Sequence, residues 1–176
     1  MIIAQQKYKE NIAEYLLYMY QVEDMIRANG LDLDSIDQTL IKKFEVPYGV
    51  KREMREWYRD LIDRMREENK EESGHLAFLE MIVDEMHQLH QRILGQGIDT
   101  IYKQIFVRAR PNIEALRMKS GHGKLNDIQV AFNGLYGLLI LRLKKSRITD
   151  ETSKAFDTIK ELIAELSSRY MQEQVK

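Results

Sequence analysis

The chain has 176 residues, the size of one ordinary domain, and its 44% hydrophobic and 31% charged residues are close to the averages of globular proteins. Its 27 basic and 28 acidic residues give a formal net charge of -1, which excludes a whole-chain field that would attract nucleic acid or a membrane. Cysteine is absent, which excludes disulfides, iron–sulfur clusters, thiolate zinc sites and a cysteine nucleophile, and favours a cytoplasmic location.

Hydrophobic residues recur at steps of three and four along nearly the whole chain, which predicts α-helices. Alternation with a period of two never lasts long enough to indicate a strand, and 9 glycines and 2 prolines are too few for a turn-rich β protein. We therefore predict an all-α fold, a single domain over residues 1–176 in which six or seven helices form a bundle. The longest apolar stretch, 134–141, is too short to span a bilayer, so we expect no membrane association.

The first half of the chain is predicted to contain four helices. They are expected at about 3–28, 35–44, 50–70 and 75–94. Glycines and a proline mark their ends, because Gly30 follows the first, Pro47 and Gly49 follow the second, and Gly74 precedes the fourth.

The second half is predicted to contain one helix that Pro111 kinks or splits in two, followed by two further helices. They are expected from about residue 98, at about 126–145 and at about 150–171. The helix at 126–145 is apolar on almost all sides, so we expect it to be the central helix, covered by its neighbours. Gly134 and Gly137 inside it predict a close approach of another helix.

His87 and His90, in the segment DEMHQLHQ of the fourth helix, are the residues that most suggest a metal site. At about 100° per residue, His90 faces the apolar side of the helix and His87 its boundary, whereas Glu80 and Asp84 point away. A di-metal centre in a helical bundle needs carboxylates and histidines that project inward together, so we predict no metal. Should one bind, His87 and His90 are the candidates. We interpret His90 as a core histidine that is hydrogen-bonded to a backbone or side-chain group.

Glu23 and Arg142 are charged residues at positions where the apolar stripe of a helix is expected. Because a lone buried charge is strongly unfavourable, we predict that Glu23 is buried and pairs with Arg142, or with Arg27 four residues on. The pattern is consistent with a buried ion pair that fixes helix register and with a polar pocket that binds a small ligand. The pocket would be formed by Glu23, Arg27, His90 and Arg142.

A local excess of positive charge lies between residues 100 and 125, where six basic residues and one acidic residue give a charge of +5. The candidate anion-binding residues are Arg108, Arg110, Arg117, Lys119 and Lys124. The segment SGHGK at 120–124 offers backbone N–H groups to an anion, but without aromatic platforms among the exposed bases, sequence-specific recognition of nucleic acid is weakly supported. We therefore do not expect nucleic acid as a partner and favour a solvated or subunit-facing patch.

Three long segments of the sequence are MIIAQQKYKENIAEYLLYMYQVEDMIRA at the start, REWYRDLID in the third helix and FNGLYGLLILRLKK in the sixth. Together they resemble an uncharacterised bacterial family of small all-helical proteins, the domain of unknown function 4924. The resemblance covers the full length and implies a helical, cytoplasmic protein. It implies no activity, and no catalytic residue or cofactor can be transferred from it.

Surplus apolar surface on the first predicted helix favours a protein partner. Leu17, Tyr18 and Met25 lie roughly 100° to 160° from the stripe centred on Met19, so one packing face cannot cover them. We therefore expect a non-enzymatic cytoplasmic protein that acts through protein–protein contacts, forms a homo-oligomer, most simply a homodimer, and needs no cofactor. Two alternatives stay open: a small-ligand or metal-binding protein, including an enzyme, and an anion-binding or nucleic-acid-binding protein that uses the stretch 103–124.

Overall fold

The computed structural model describes residues 2–121 and 124–174, which form eight α-helices, one short 3-10 helix and no strand. This confirms the all-α prediction. The helices are α1 (Ile2–Glu10), α2 (Ile12–Ala28), α3 (Leu33–Thr39), the 3-10 helix (Ile41–Lys43), α4 (Tyr48–Glu67), α5 (Ala77–Gln96), α6 (Thr100–Ser120), α7 (Asp127–Leu143) and α8 (Asp150–Gln174).

The chain divides into two compact units. The first contains the residues up to Glu10 together with Glu14–Glu80, and the second contains Asn11–Ala13 and the residues from Met81 onward. The organisation of the chain as a single domain stays a prediction. Within the described residues, no helix is both long enough and apolar enough to cross a membrane.

Asn11 separates α1 from α2, so the prediction of one continuous helix over 3–28 was wrong. The Oδ1 atom of Asn11 accepts hydrogen bonds from the backbone N–H of Ala13 at 3.0 Å and from the hydroxyl of Ser167 at 3.1 Å. An asparagine whose side chain caps the following helix offers the backbone an alternative to continuing the preceding one. The hydrophobic spacing alone did not reveal this break, because the apolar stripe continues on both sides of it.

The core of the first unit includes one face of α4, and α3 packs against this helix. The start of α3 is fixed by Asp32, whose carboxylate accepts from the backbone N–H groups of Asp34 at 3.3 Å and Ser35 at 3.0 Å. One face of α4 is buried. Its buried residues are Met54, Tyr58, Leu61, Ile62 and Met65.

Three long helices of the second unit, α6, α7 and α8, pack against one another. Helix α6 continues through Pro111, so of the two predicted effects of this proline, a kink or a split in two, the split was wrong. Ala109 and Ile113, on either side of the proline, are fully buried and hold both halves of the helix against the core. Their burial helps to offset the cost of about 3 kcal/mol for a proline inside a helix.

Helix α7 has six buried residues between Ile128 and Leu138, but Leu141 and Leu143 near its end are 43% and 62% exposed. At Gly134 an added Cβ atom would lie 2.6 Å from Cδ1 of Leu116 and 3.3 Å from Cε1 of Phe156. The predicted close approach is therefore confirmed at Gly134. It was wrong for Gly137, where an added Cβ atom would meet open space.

Candidate functional sites

Glu23, on α2, places a carboxylate in the core, where the residue has no solvent exposure, as predicted. Its Oε2 atom lies 2.6 Å from Nδ1 of His75, and its Oε1 atom accepts a hydrogen bond from the backbone N–H of Leu76 at 2.8 Å. In a hydrogen bond to an ionised carboxylate, Nδ1 of His75 is the donor, because a carboxylate without a proton only accepts. The imidazole is 24% exposed and stacks on Tyr20, with 3.5 Å between ring centroids.

Two acidic side chains of the first unit cap the N-terminal end of α5. Glu23 accepts from the N–H of Leu76, and Glu68 accepts from the N–H of Ala77 at 2.6 Å. The first N–H groups of a helix have no partner within the helix and carry partial positive charge, which stabilises negative side chains there. This arrangement explains why an acid enters the core. The sequence signal that was missed is His75, the first residue of the predicted fourth helix.

Arg27 and Arg142, the predicted partners of Glu23, have other positions. Arg27 donates to the backbone carbonyls of Lys70, at 3.1 Å, and of Gly74, and so holds the segment between α4 and α5. Arg142 is exposed on α7. The prediction that Glu23 pairs with either arginine was therefore wrong. A helical wheel gives the direction of a side chain on its own helix, but it does not identify the group that the side chain meets.

His90, on α5, is fully buried, which confirms its interpretation as a core histidine. Its Nδ1 atom lies 2.7 Å from the hydroxyl oxygen of Tyr102, and its ring packs edge to face on Phe106 at 4.7 Å between centroids. Burial lowers the pKa of His90 to about 4, so the ring is neutral at physiological pH. The candidate pocket residues thus form two pairs with other groups, Glu23 with His75 and His90 with Tyr102.

The histidine pair of α5 has two buried nitrogens, Nδ1 of His87 and Nε2 of His90, that have no hydrogen-bond partner among the described residues. The two rings are 6.1 Å apart between centroids. Asp84 accepts a hydrogen bond from Gln129 at 3.2 Å. In the described part of the chain, no group of three or more His, Asp or Glu side chains is arranged to hold a metal ion. The pair offers two of the four ligands that a structural zinc site uses.

Two of the predicted anion-binding residues have carboxylate partners in the second unit. Arg117 donates to the backbone carbonyl of Leu125 and to the carboxylate of Asp127, and so fixes the start of α7. Arg108 pairs with Glu161 at 2.6 Å. These contacts compensate both charges. The placement of the two residues therefore does not support the prediction that they bind an anion.

Arg110, Lys119 and Lys124 are the remaining candidates, and all three are exposed. Arg110 and Lys119 lie on α6, and Lys124 follows it. His122 and Gly123 of the segment SGHGK lie outside the described residues. The predicted anion surface is therefore reduced to three exposed bases, and whether they bind an anion stays a prediction.

Helix α6 presents apolar side chains to solvent. Ile101, Val107 and Met118 are 67%, 60% and 84% exposed, and Ile98, just before the helix, is 84% exposed. Val107 points about 160° away from the buried Ala109, so it lies on the outer side of the helix. The same side holds a shallow depression of about 430 Å³. Its lining residues are Thr100, Lys103, Gln104, Val107 and Arg108.

We define the α6 face as the residues that lie within about 60° of Val107 around the helix. They are Thr100, Lys103, Gln104, Val107, Arg110, Pro111, Glu114 and Met118. Every one of them is exposed except Glu114, which is half-buried and contacts Arg117 at 3.2 Å. The α6 face therefore combines an apolar centre with charged flanks.

Leu17, Tyr18 and Met25 on α2 are partly buried within the chain. The prediction that they supply surplus apolar surface was therefore wrong, because the chain itself covers more than one side of α2. Helix α6, which was not singled out for its apolar surface, carries three strongly exposed apolar residues, Ile101, Val107 and Met118.

The fold and these sites define the class: an all-α protein with a buried carboxylate at a helix start and an exposed apolar face on one long helix. The chain belongs to the family described as a domain of unknown function (DUF4924), whose model matches residues 1–176. This confirms the resemblance seen in the sequence. No curated protein and no solved structure matches the chain.

Proposed function

We propose that this chain is a cytoplasmic, bacterial and non-enzymatic helical protein that acts through protein–protein contacts, and that the α6 face is its contact surface. The observation that carries this proposal is the exposure of Val107 and Met118 on one side of a single long helix. Contiguous exposed apolar side chains rimmed by polar groups are typical of protein-binding surfaces.

The charges around the α6 face support the same function. Lys103 and Arg110 are exposed beside Val107, and Glu114 lies on the same flank. An apolar centre with charged flanks gives a partner both contact area and orientation, since charges at the rim mainly set specificity and association rate. The buried polar groups Glu23 and His90 have partners inside the chain, and these contacts give them structural roles.

Site-specific photocrosslinking tests the proposal even when the identity of the partner is unknown. A photoreactive amino acid is placed at Val107 or Met118 in the full chain, expressed in cells and irradiated. Tyr48 is the matched control, because it is apolar and 84% exposed, the same exposure as Met118, but lies at the start of α4. We expect discrete protein adducts from both α6 positions and none from the control.

The specificity of the adducts is tested with a second substitution. Val107→Glu places a charge at the centre of the α6 face and should abolish the adduct formed from position 118. Circular dichroism should show unchanged helicity, because Val107 is exposed and contributes little to the core. Absence of adducts from both α6 positions in folded protein would overturn the proposed function.

A further inference from the structure

We infer that the α6 face binds a second copy of this chain, with the two α6 helices packed antiparallel about a two-fold axis beside Ala109. This inference rests on the proposed function of the α6 face and names its partner. It is carried by the order in which apolar and charged residues follow one another along α6, because that order is complementary to itself when the helix is reversed.

The α6 face has the spacing of a helix-pairing seam. Thr100, Val107 and Glu114 follow one another at seven-residue intervals, and Lys103 and Pro111 lie between them at steps of three and four. At about 100° per residue, all five stay within about 40° of the direction of Val107. Apolar residues at such alternating steps interlock with those of a second helix, and Val107 and Pro111 are the apolar residues of this seam.

The apolar residues of the seam are complementary about Ala109. A two-fold axis there sets each residue opposite the residue equally far on the other side of Ala109. Val107 then meets Pro111 of the partner subunit, and Thr100 meets Met118 of the partner subunit. Each contact occurs twice, so Val107 and Met118 are both covered in the dimer.

The charged flank of the seam is complementary in the same register. A two-fold axis perpendicular to the helices keeps each flank on its own side, and Lys103 and Glu114 share one flank. They lie almost equally far before and after Ala109, so Lys103 faces Glu114 of the partner subunit, again twice. Opposite charges thus fix the antiparallel register at both ends of the seam.

Arg110 distinguishes this arrangement from the binding of an acidic partner. It lies on the same flank and one residue from the axis, so it faces Arg110 of the partner subunit. Like charges at this position weaken a dimer, and their removal should strengthen it. An acidic partner would instead lose an attraction when Arg110 is removed.

Sedimentation velocity on the full chain over a range of concentrations at low ionic strength tests the register. Lys103→Glu and Glu114→Lys should each weaken the dimer by about tenfold or more, and the double variant should recover an affinity within about threefold of the original. Arg110→Ala should tighten the dimer. Lys9→Glu, an exposed change on α1 with the same change in net charge as Lys103→Glu, should leave it unaltered.

Glu114 also contacts Arg117 within the chain, so thermal unfolding of each variant accompanies the measurement. A dimer in which the double charge reversal fails to restore affinity, or which Arg110→Ala weakens, overturns the inferred register. A chain that stays monomeric at all concentrations overturns the inference of a second copy. In that case adducts of a different protein at positions 107 and 118 still support the proposed function, so the two failures are distinguishable.

Discussion

The carboxylate of Glu23 and the imidazole of His75 form a hydrogen-bonded pair, with 2.6 Å between Oε2 and Nδ1, in which the acid has no contact with solvent. The pair joins α2 to the residue that precedes α5 by two positions. Because the other carboxylate oxygen caps the N–H of Leu76, one side chain satisfies two donors of the same segment. The start of α5 is therefore held by tertiary contacts as well as by its own hydrogen bonds.

Replacement of Glu23 by alanine should destabilise the protein by about 2–4 kcal/mol, because the N–H of Leu76 and Nδ1 of His75 lose their acceptor in a buried place. Glu14→Ala is the control on the same helix. Glu14 forms an exposed ion pair with Lys7, so its loss should cost less than about 1 kcal/mol. Urea unfolding of both variants measures the difference, and equal stabilities would show that the buried pair contributes nothing.

The buried imidazole of His90 predicts a loss of stability in mild acid. Its pKa is lowered from the ordinary value of 6.5 to about 4, so between these values the unfolded chain binds a proton that the folded chain does not. Stability from this group is fully present above pH 6.5 and falls as the pH is lowered towards 4, by roughly 3 kcal/mol.

The variant His90→Gln separates the contribution of His90 to the pH dependence of stability from the contributions of the carboxylates. Glutamine has no proton to gain in this range, so the decrease in unfolding free energy between pH 7 and pH 4.5 should be smaller in the variant. Chemical denaturation at the two pH values measures it. An identical decrease in both proteins would contradict the assignment to His90.

Gly134 and Gly137, three residues apart on α7, should respond to alanine in opposite directions. At Gly134 the new Cβ atom would press on Leu116 and Phe156, so we expect a net loss of about 1 kcal/mol or more. At Gly137 nothing lies within 4 Å, so alanine should stabilise the helix by about 0.5–1 kcal/mol. Thermal unfolding ranks the two variants, and the reverse order would contradict the close approach of α6 and α8 to Gly134.

Substitution of Arg117 and of Lys119 should distinguish a basic residue with a structural role from one that is exposed. Arg117→Ala removes the contacts to Leu125 and Asp127 and should cost about 1–3 kcal/mol. Lys119→Ala should change stability by less than about 0.5 kcal/mol, because the side chain is exposed. Hydrogen exchange at the first residues of α7 should accelerate in the first variant alone. Unchanged exchange there would exclude Arg117 as the group that fixes this helix start.

The fold class was predictable because the period of the apolar residues is a property of each helix alone. It predicted the inward direction of Glu23 correctly. The break at Asn11 was not predictable from that period, because it depends on a side chain that accepts from Ala13 and Ser167, two residues far apart in the sequence. The same limit explains why the sequence did not predict the partner of Glu23. His75 lies 52 residues further on, and only the packed structure brings the two together.

The continuation of α6 through Pro111 shows a second limit of predictions made from the local sequence. Proline lowers helix stability wherever it stands in a helix interior, but the buried Ala109 and Ile113 on either side hold this helix in place. Helix propensity gives the free-energy cost of placing a residue in a helix. Burial of the neighbouring residues decides whether the helix forms despite that cost. For the α6 face, the sequence indicated a role for the basic residues but not for the exposed apolar ones, because exposure depends on which elements cover a helix.

Pro111 also changes what the α6 face offers to the solvent. A proline has no N–H group, so the backbone carbonyl of Val107, four residues earlier, cannot receive its usual helical hydrogen bond from position 111. This oxygen lies on the outer side of the helix, where water can hydrate it in the isolated chain. Whatever molecule covers Val107 must either bring a donor for that oxygen or retain a water molecule beside it, since a backbone acceptor that is dry and unsatisfied is unfavourable.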